Sequence, residues 1–225
     1  MTDVDAVLFD LDDTLCEYRR TTADLLELSF ERASVEPLFT VDDYHARYGD
    51  FVDVSESIRD LRRQCFAALA EEAGADPAAG ERVAEVFSEE RDHGDVRPLP
   101  GAGTAVERLA DRYRLGIVTN GAPEMQTAKL AALPFADAFE TVVYAGYDVP
   151  AKPDPAPFYR GLDALDAEPE RAVHVGNSLE SDVAGAAAAG VRSVWLSNGV
   201  EAPQPVPDYR IESLEELRTP PWERA

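Results

Sequence analysis

The chain has 225 residues, 45% of them hydrophobic, which suits one large domain or one domain with a substantial insertion. Its 44 acidic residues against 21 basic leave a net charge of −23, and this excludes the basic patch that a general nucleic-acid surface needs. No apolar run approaches the ~18 residues of a membrane span, and no basic-then-apolar leader opens the chain, so a cytoplasmic protein is expected.

Val4 to Phe9 is β-branched and aromatic enough for a buried strand, interrupted only by Asp5. It ends in Asp10-Leu11-Asp12-Asp13-Thr14, where alternation sends the carboxylates of Asp10 and Asp12 to one side of an extended backbone. Such crowding costs free energy unless a cation or a shared proton offsets it. From Thr21 to His93 the pattern is helical. Thr22 can cap a helix carrying Leu26, Phe30 and Ala33 on one face, and Thr40 with Asp43 resembles a capping arrangement before Tyr44, Tyr48 and Phe51. Ile58, Leu61, Cys65 and Leu69 form a third stripe that stops near Gly74, and Asp76-Pro77 opens a fourth with Val83, Val86 and Phe87.

Arg97-Pro98-Leu99-Pro100-Gly101 then resets the pattern, and helices alternate with short strands. Val106, Leu109 and Ala110 mark a helix, and Leu115 to Val118 a strand ending at Thr119-Asn120-Gly121. A helix runs from near Pro123 to Ala132, followed by a strand over Thr141 to Tyr144 and a helix over Pro155 to Leu165. The strand Ala172 to Val175 leads into Gly176-Asn177-Ser178-Leu179-Glu180-Ser181-Asp182, an alanine-rich helix closed by Gly190, and a strand over Val191 to Leu196. Tyr209 to Ile211 and Leu214 to Leu217 read as a last strand and a short helix, and Pro220-Pro221-Trp222 as a terminal tail. This alternation predicts an α/β fold, a doubly wound parallel sheet, with residues 1–15 and 98–225 as the core and 16–97 as a helical insertion.

In such sheets chemistry gathers at the carboxyl ends of strands. Four polar groups lie there: Asp10 to Thr14; Thr119-Asn120-Gly121, whose hydroxyl and backbone amides suit a phosphate oxygen; Lys152, held between prolines at Ala151-Lys152-Pro153-Asp154-Pro155; and Gly176 to Asp182, oxygen ligands opening a helix. Lys129 and Lys152 are the only lysines of the chain, all other basic residues being arginine, which singles each of them out. Cys16 and Cys65 make neither a disulfide framework nor a metal pattern, and His45, His93 and His174 lack ligand spacing. The acidity suits concentrated salt, where the Debye length falls to ~3 Å at 1 M, and points to a halophilic chain.

Taken together, the four groups resemble the haloacid dehalogenase superfamily of aspartate-nucleophile hydrolases. Asp10 to Thr14 matches its first motif, Thr119 its second, Lys152 its third and Gly176 to Asp182 its fourth. The helical block is similar to the cap that many members insert after the first strand of their Rossmann-like core. The resemblance implies a phosphatase acting on a small phosphorylated metabolite, with Asp10 as nucleophile and Asp12 as general acid and base. Thr119, Asn120 and Lys152 would bind phosphate, and Mg²⁺ would sit among Asp10, Asp12 (through its backbone carbonyl), Asn177 and Asp182. Asn177 departs from the aspartate that family phosphatases usually carry there. Dehalogenases of the superfamily lack an acidic residue at the place of Asp12, because carbon–halogen cleavage needs no leaving-group acid. A phosphomutase, a dehalogenase and a non-catalytic relative are the alternatives. No nucleic-acid or membrane partner is expected, and no residue pattern specifies an oligomeric state.

Overall fold

The computed structural model describes residues 3–52, 54–197, 199, 201 and 204–223. They form two compact units, Met1–Tyr18 with His93–Ala225, and Arg19–Asp92.

The first unit is built on a six-stranded, all-parallel sheet. In chain order its strands are β1 (Ala6–Phe9), β4 (Arg114–Asn120), β5 (Thr141–Ala145), β6 (Ala172–Gly176), β7 (Arg192–Leu196) and β8 (Tyr209–Ile211), and their spatial order is β5-β4-β1-β6-β7-β8. β1 therefore lies inside the sheet with a neighbour on each edge, and all four of its side chains are buried. That explains its unbroken apolar run, since a central parallel strand faces protein on both sides. Phe9 pairs in register with Ile117 of β4 and Val175 of β6, so β1 and β6 end almost level while β4 runs on to Asn120, and Asp10 donates its backbone N–H to Val175 O at 2.9 Å. Between the strands run α5 (Ala102–Ala110), α6 (Pro123–Ala131), α7 (Ala156–Ala164) and α8 (Ala184–Ala189).

Several details depart from the pattern reading. A two-stranded antiparallel pair, β2 (Cys16–Tyr18) with β3 (Val96–Pro98), stands where the pattern places the ends of the helical block. The helix expected from Leu179 begins as a π-helical turn over Leu179–Val183, capped by Ser178, before α8. The expected terminal tail is packed: Trp222 is buried against the main core, and its Nε1 donates to the Tyr113 hydroxyl at 3.2 Å.

The second unit is helical: α1 (Thr22–Ala33), α2 (Val41–Tyr48), α3 (Ile58–Glu72) and α4 (Pro77–Glu90). Thr21 rather than Thr22 caps α1, because Asp24 stands at the third helical position and completes a reciprocal capping box. Thr40 and Asp43 do the same for α2, and Asp76 caps α4 ahead of Pro77. The unit has its own core, in which Tyr44 and Phe87 each meet Phe66 edge to face and Phe39 packs tilted on Phe66, and Arg62 is buried with its guanidinium carbon 5.2 Å from the Phe87 ring centre.

Candidate active site

The site residues named by sequence lie at the carboxyl ends of β1, β4 and β6 and in the loop after β5. Asp10 follows β1 directly and is 7% exposed. Leu11 turns inward to the core, and Asp13 takes a left-handed conformation (φ 54°) that aspartate tolerates, which bends the chain back so that Thr14 faces Asp10.

Lys152 is buried, and its ammonium donates to Asp10 Oδ1 (2.8 Å), Val118 O (2.8 Å) and Asp182 Oδ1 (2.7 Å). Three acceptors use all three of its hydrogens, so it acts on any further group through its charge. Burial opposes that charge, but Asp10 and Asp182 more than compensate and raise the Lys152 pKa above that of an ordinary lysine. For Asp10 the balance falls the other way. Burial, against the pull of Lys152 and with the push of Asp182, lifts its pKa to about 6. Asp182 is held low: burial would raise it, yet Lys152 and His174 win.

Both Asp182 oxygens are occupied. Oδ1 meets Lys152 and His174 Nε2 (3.1 Å), and Oδ2 accepts the backbone N–H of Ser178 at 2.9 Å. Gly176 allows this, because a Cβ there would overlap the Asp182 carboxylate. Burial keeps His174 below its usual pKa, so its contact with the carboxylate requires the hydrogen on Nε2, and its Nδ1 has no partner among the described residues. Asn120 is likewise committed: its carboxamide accepts from the Lys152 N–H (2.9 Å) and donates to Lys152 O (3.1 Å), bracing the lysine loop.

Thr119 is fully buried, and its hydroxyl lies 3.1 Å from Gln126 Nε2, whose two hydrogens also face Asp12 Oδ2 (2.8 Å) and Asn120 O (2.9 Å); since Nε2 accepts nothing, the Thr119 hydrogen stays available to a ligand. The Thr14 hydroxyl lies 3.3 Å from both Asp10 Oδ2 and Asn177 Oδ1. One hydrogen cannot serve two acceptors, so the oxygens gathered there outnumber their donors. Trp195 Nε1 fixes Asn177 by donating to its backbone carbonyl at 2.9 Å. Among the described residues no group of three or more His, Cys, Asp or Glu side chains is arranged to hold a metal.

Asp12 faces a cation. Its two oxygens lie 2.6 and 2.8 Å from Lys129 Nζ, and Oδ2 also accepts from Gln126 Nε2 at 2.8 Å. The sequence singles out Lys129 by its rarity and gives it no role, because nothing in the order of residues shows a pairing across 117 positions. His174 lacks ligand spacing and carries no other sequence signal. Its partner, Asp182, is eight residues on and reaches it only through the π-helical turn.

Residues 4–190 match the haloacid dehalogenase-like hydrolase family model. The chain belongs to this family. It is 36% identical over 159 residues to phosphoserine phosphatase of Thermus thermophilus, a match covering 70% of this chain and 64% of that protein. With glyceraldehyde 3-phosphate phosphatase of Pyrococcus abyssi it shares 37% identity over 105 residues, 46% of this chain and 44% of that one. The matched stretches thus span less than two thirds of these relatives. Among solved structures, the HAD-hydrolase YfnB of Bacillus subtilis, bound to magnesium, aligns with a TM-score of 0.72 at 27% identity, covering 96% of this chain and 97% of that one. Among the described residues no helix is long and apolar enough to cross a membrane.

Proposed function

We propose that this hydrolase is a magnesium-dependent phosphatase that cleaves a small phosphorylated metabolite through a phosphoryl group carried on Asp10. The observation that carries the reading is the second carboxylate, Asp12, two residues past the nucleophile and held at both oxygens. An ester oxygen leaves as a poor anion and needs a proton, whereas a halide does not. Relatives named as phosphatases of two different small phosphate esters support the same reaction and leave the substrate itself open.

Lys152 holds Asp10 Oδ1, so the carboxylate is aimed before substrate arrives. In the first step an Asp10 oxygen bonds to phosphorus, the ester P–O bond breaks, and the leaving oxygen takes a proton from Asp12. In the second, water adds to phosphorus, Asp12 takes its proton, and the P–O bond to Asp10 breaks, releasing phosphate and restoring both carboxyl groups. Thr119 would donate its free hydroxyl hydrogen to a phosphoryl oxygen, and the Lys152 charge would offset the negative charge that develops there. Asp182 and Asn120 keep Lys152 in place.

The acceptor surplus around Thr14 fits a hard cation that takes oxygen ligands. Asp10, the backbone carbonyl of Asp12 and Asn177 would hold Mg²⁺, with Asp182 behind Lys152 contributing negative charge. Bound there, the ion would supply positive charge to the phosphoryl oxygens. Asn177 offers an oxygen without charge. Asn177→Asp is therefore expected to lower the magnesium concentration for half-maximal activity about tenfold; a magnesium titration that shows an unchanged or higher requirement would refute this assignment.

Proton and cation compete for Asp10. Its pKa is raised to about 6 in the metal-free protein, so it binds a proton below that pH and must lose it to ligate magnesium. The magnesium dissociation constant should be level above about pH 6 and rise about tenfold per unit below it. Calorimetric titrations between about pH 5 and 8 check this, and a constant that is flat throughout would contradict it.

The function itself is tested by phosphate release from phosphoserine, glyceraldehyde 3-phosphate, other sugar phosphates, nucleotides and phosphoglycolate, with magnesium in high potassium chloride. The salt matters because a net charge of −23 repels itself in dilute buffer. Release from at least one ester supports the proposal; none from any of them overturns it.

A further inference from the structure

Both lysines of this chain end on carboxylates of the same short motif, Lys152 on Asp10 and Lys129 on Asp12. Lys129 lies in α6, and its side chain is 3% exposed while that of Asp12 is 38% exposed. Burying an ammonium to pair it with a half-open carboxylate is a poor way to gain stability, since desolvation consumes most of the attraction. The arrangement does restrict geometry. Nζ reaches both oxygens of Asp12, at 2.6 and 2.8 Å, and Gln126, one turn earlier on the same face of α6, donates to Oδ2 at 2.8 Å. Lys129 is itself held from the far side: Nζ lies 4.8 Å from the centre of the Tyr18 ring, whose hydroxyl is 2.7 Å from His93 Nδ1.

We infer that Lys129, together with Gln126, is a positioning residue that holds the Asp12 carboxylate where it exchanges its proton with the leaving and attacking oxygens. The inference rests on the phosphatase reading above. Lys129 donates to both oxygens of Asp12, while Asp10 is held by Lys152, so Lys129 should govern turnover and leave phosphate binding alone.

The test uses alkyl phosphate esters, phosphoserine and glyceraldehyde 3-phosphate, with the full chain, magnesium and high potassium chloride. Lys129→Met should lower kcat about 100-fold, the cost of a catalytic group misplaced by about an ångström, with KM within about twofold of wild type. Lys129→Arg, which keeps the charge, should recover part of the loss. Combined with Asp12→Asn, Lys129→Met should cost nothing further, because a residue acting only through Asp12 has nothing left to position. Losses that multiply in the double variant, a kcat equal to or above wild type in Lys129→Met, or a KM that rises with an unchanged kcat, would each overturn the inference. If Lys129→Met fails to fold by circular dichroism, Lys129→Gln alone and with Asp12→Asn must show the same non-additive loss, and additivity there overturns it. A wild-type protein inactive on every ester would instead overturn the phosphatase reading, so the two failures are distinct.

Discussion

Asp10→Asn is expected to reduce phosphate release by at least about 10⁴-fold while leaving the protein folded, because it removes the attacking oxygen and little else. Asparagine keeps the size of the side chain and one oxygen for Lys152, so the contact at Asp10 Oδ1 has a counterpart. It also removes a buried negative charge that burial already disfavours, as the rise of the Asp10 pKa to about 6 shows. Thermal melting of the two proteins should therefore differ little, and phosphate release should differ greatly. Comparable activity in the variant would remove Asp10 from the mechanism. A large fall in melting temperature would make its role structural.

Lys152→Met has a different signature, because it strikes stability and activity together. Lys152 is the cation facing both Asp10 and Asp182 inside the protein, and methionine would leave those carboxylates buried without it. Loss of the shared cation from such a cluster leaves two buried carboxylates unpaired and costs about 3–5 kcal/mol, measurable by urea unfolding at neutral pH. Lys152→Arg should restore little. The three acceptors of Nζ (Asp10 Oδ1, Val118 O and Asp182 Oδ1) surround one nitrogen, and a planar guanidinium cannot offer one atom to all of them. Unfolding curves that coincide with wild type for Lys152→Met would show that the carboxylates do not depend on Lys152 for their burial.

How far the order of residues discloses the fold depends on how each feature is encoded. The carboxyl-terminal ends of β1, β4 and β6 are legible because a central strand is a mainly apolar run that stops abruptly, and polar residues such as Asp10, Thr119 and Asn177 mark the stop. The helical caps at Thr40 and Asp76 are legible because they are local. The cap at Thr21 is displaced by one residue in the pattern since Thr22 offers the same hydroxyl, and only the partner Asp24 decides between them. The pairing of Cys16–Tyr18 with Val96–Pro98 has no local signature, as two three-residue segments so far apart in sequence become strands only by meeting.

The site is legible in its residues and not in its contacts. Asp12 reads as one of several crowding carboxylates, and its carboxylate instead rests on Lys129 and Gln126, reached by the packing of α6. Asn120 reads as a phosphate ligand from its place after β4, and its carboxamide is bound to the backbone of Lys152. Asp182 reads as an acidic metal ligand, and both of its oxygens are held by Lys152, His174 and Ser178. In each case the motif indicates which groups assemble, while the tertiary partners decide which atoms remain free.

The central claim is that water attacks phosphorus on a phosphorylated Asp10. It is tested most directly by turning over an accepted phosphate ester in oxygen-18 water and analysing both the released phosphate and the Asp10 peptide by mass spectrometry. Label is expected in the phosphate and not in the Asp10 carboxylate, because the bond that breaks in the second step joins phosphorus to the Asp10 oxygen. Label accumulating in Asp10 would place the attack on the carboxyl carbon, the chemistry of an alkyl-ester intermediate, and would contradict it.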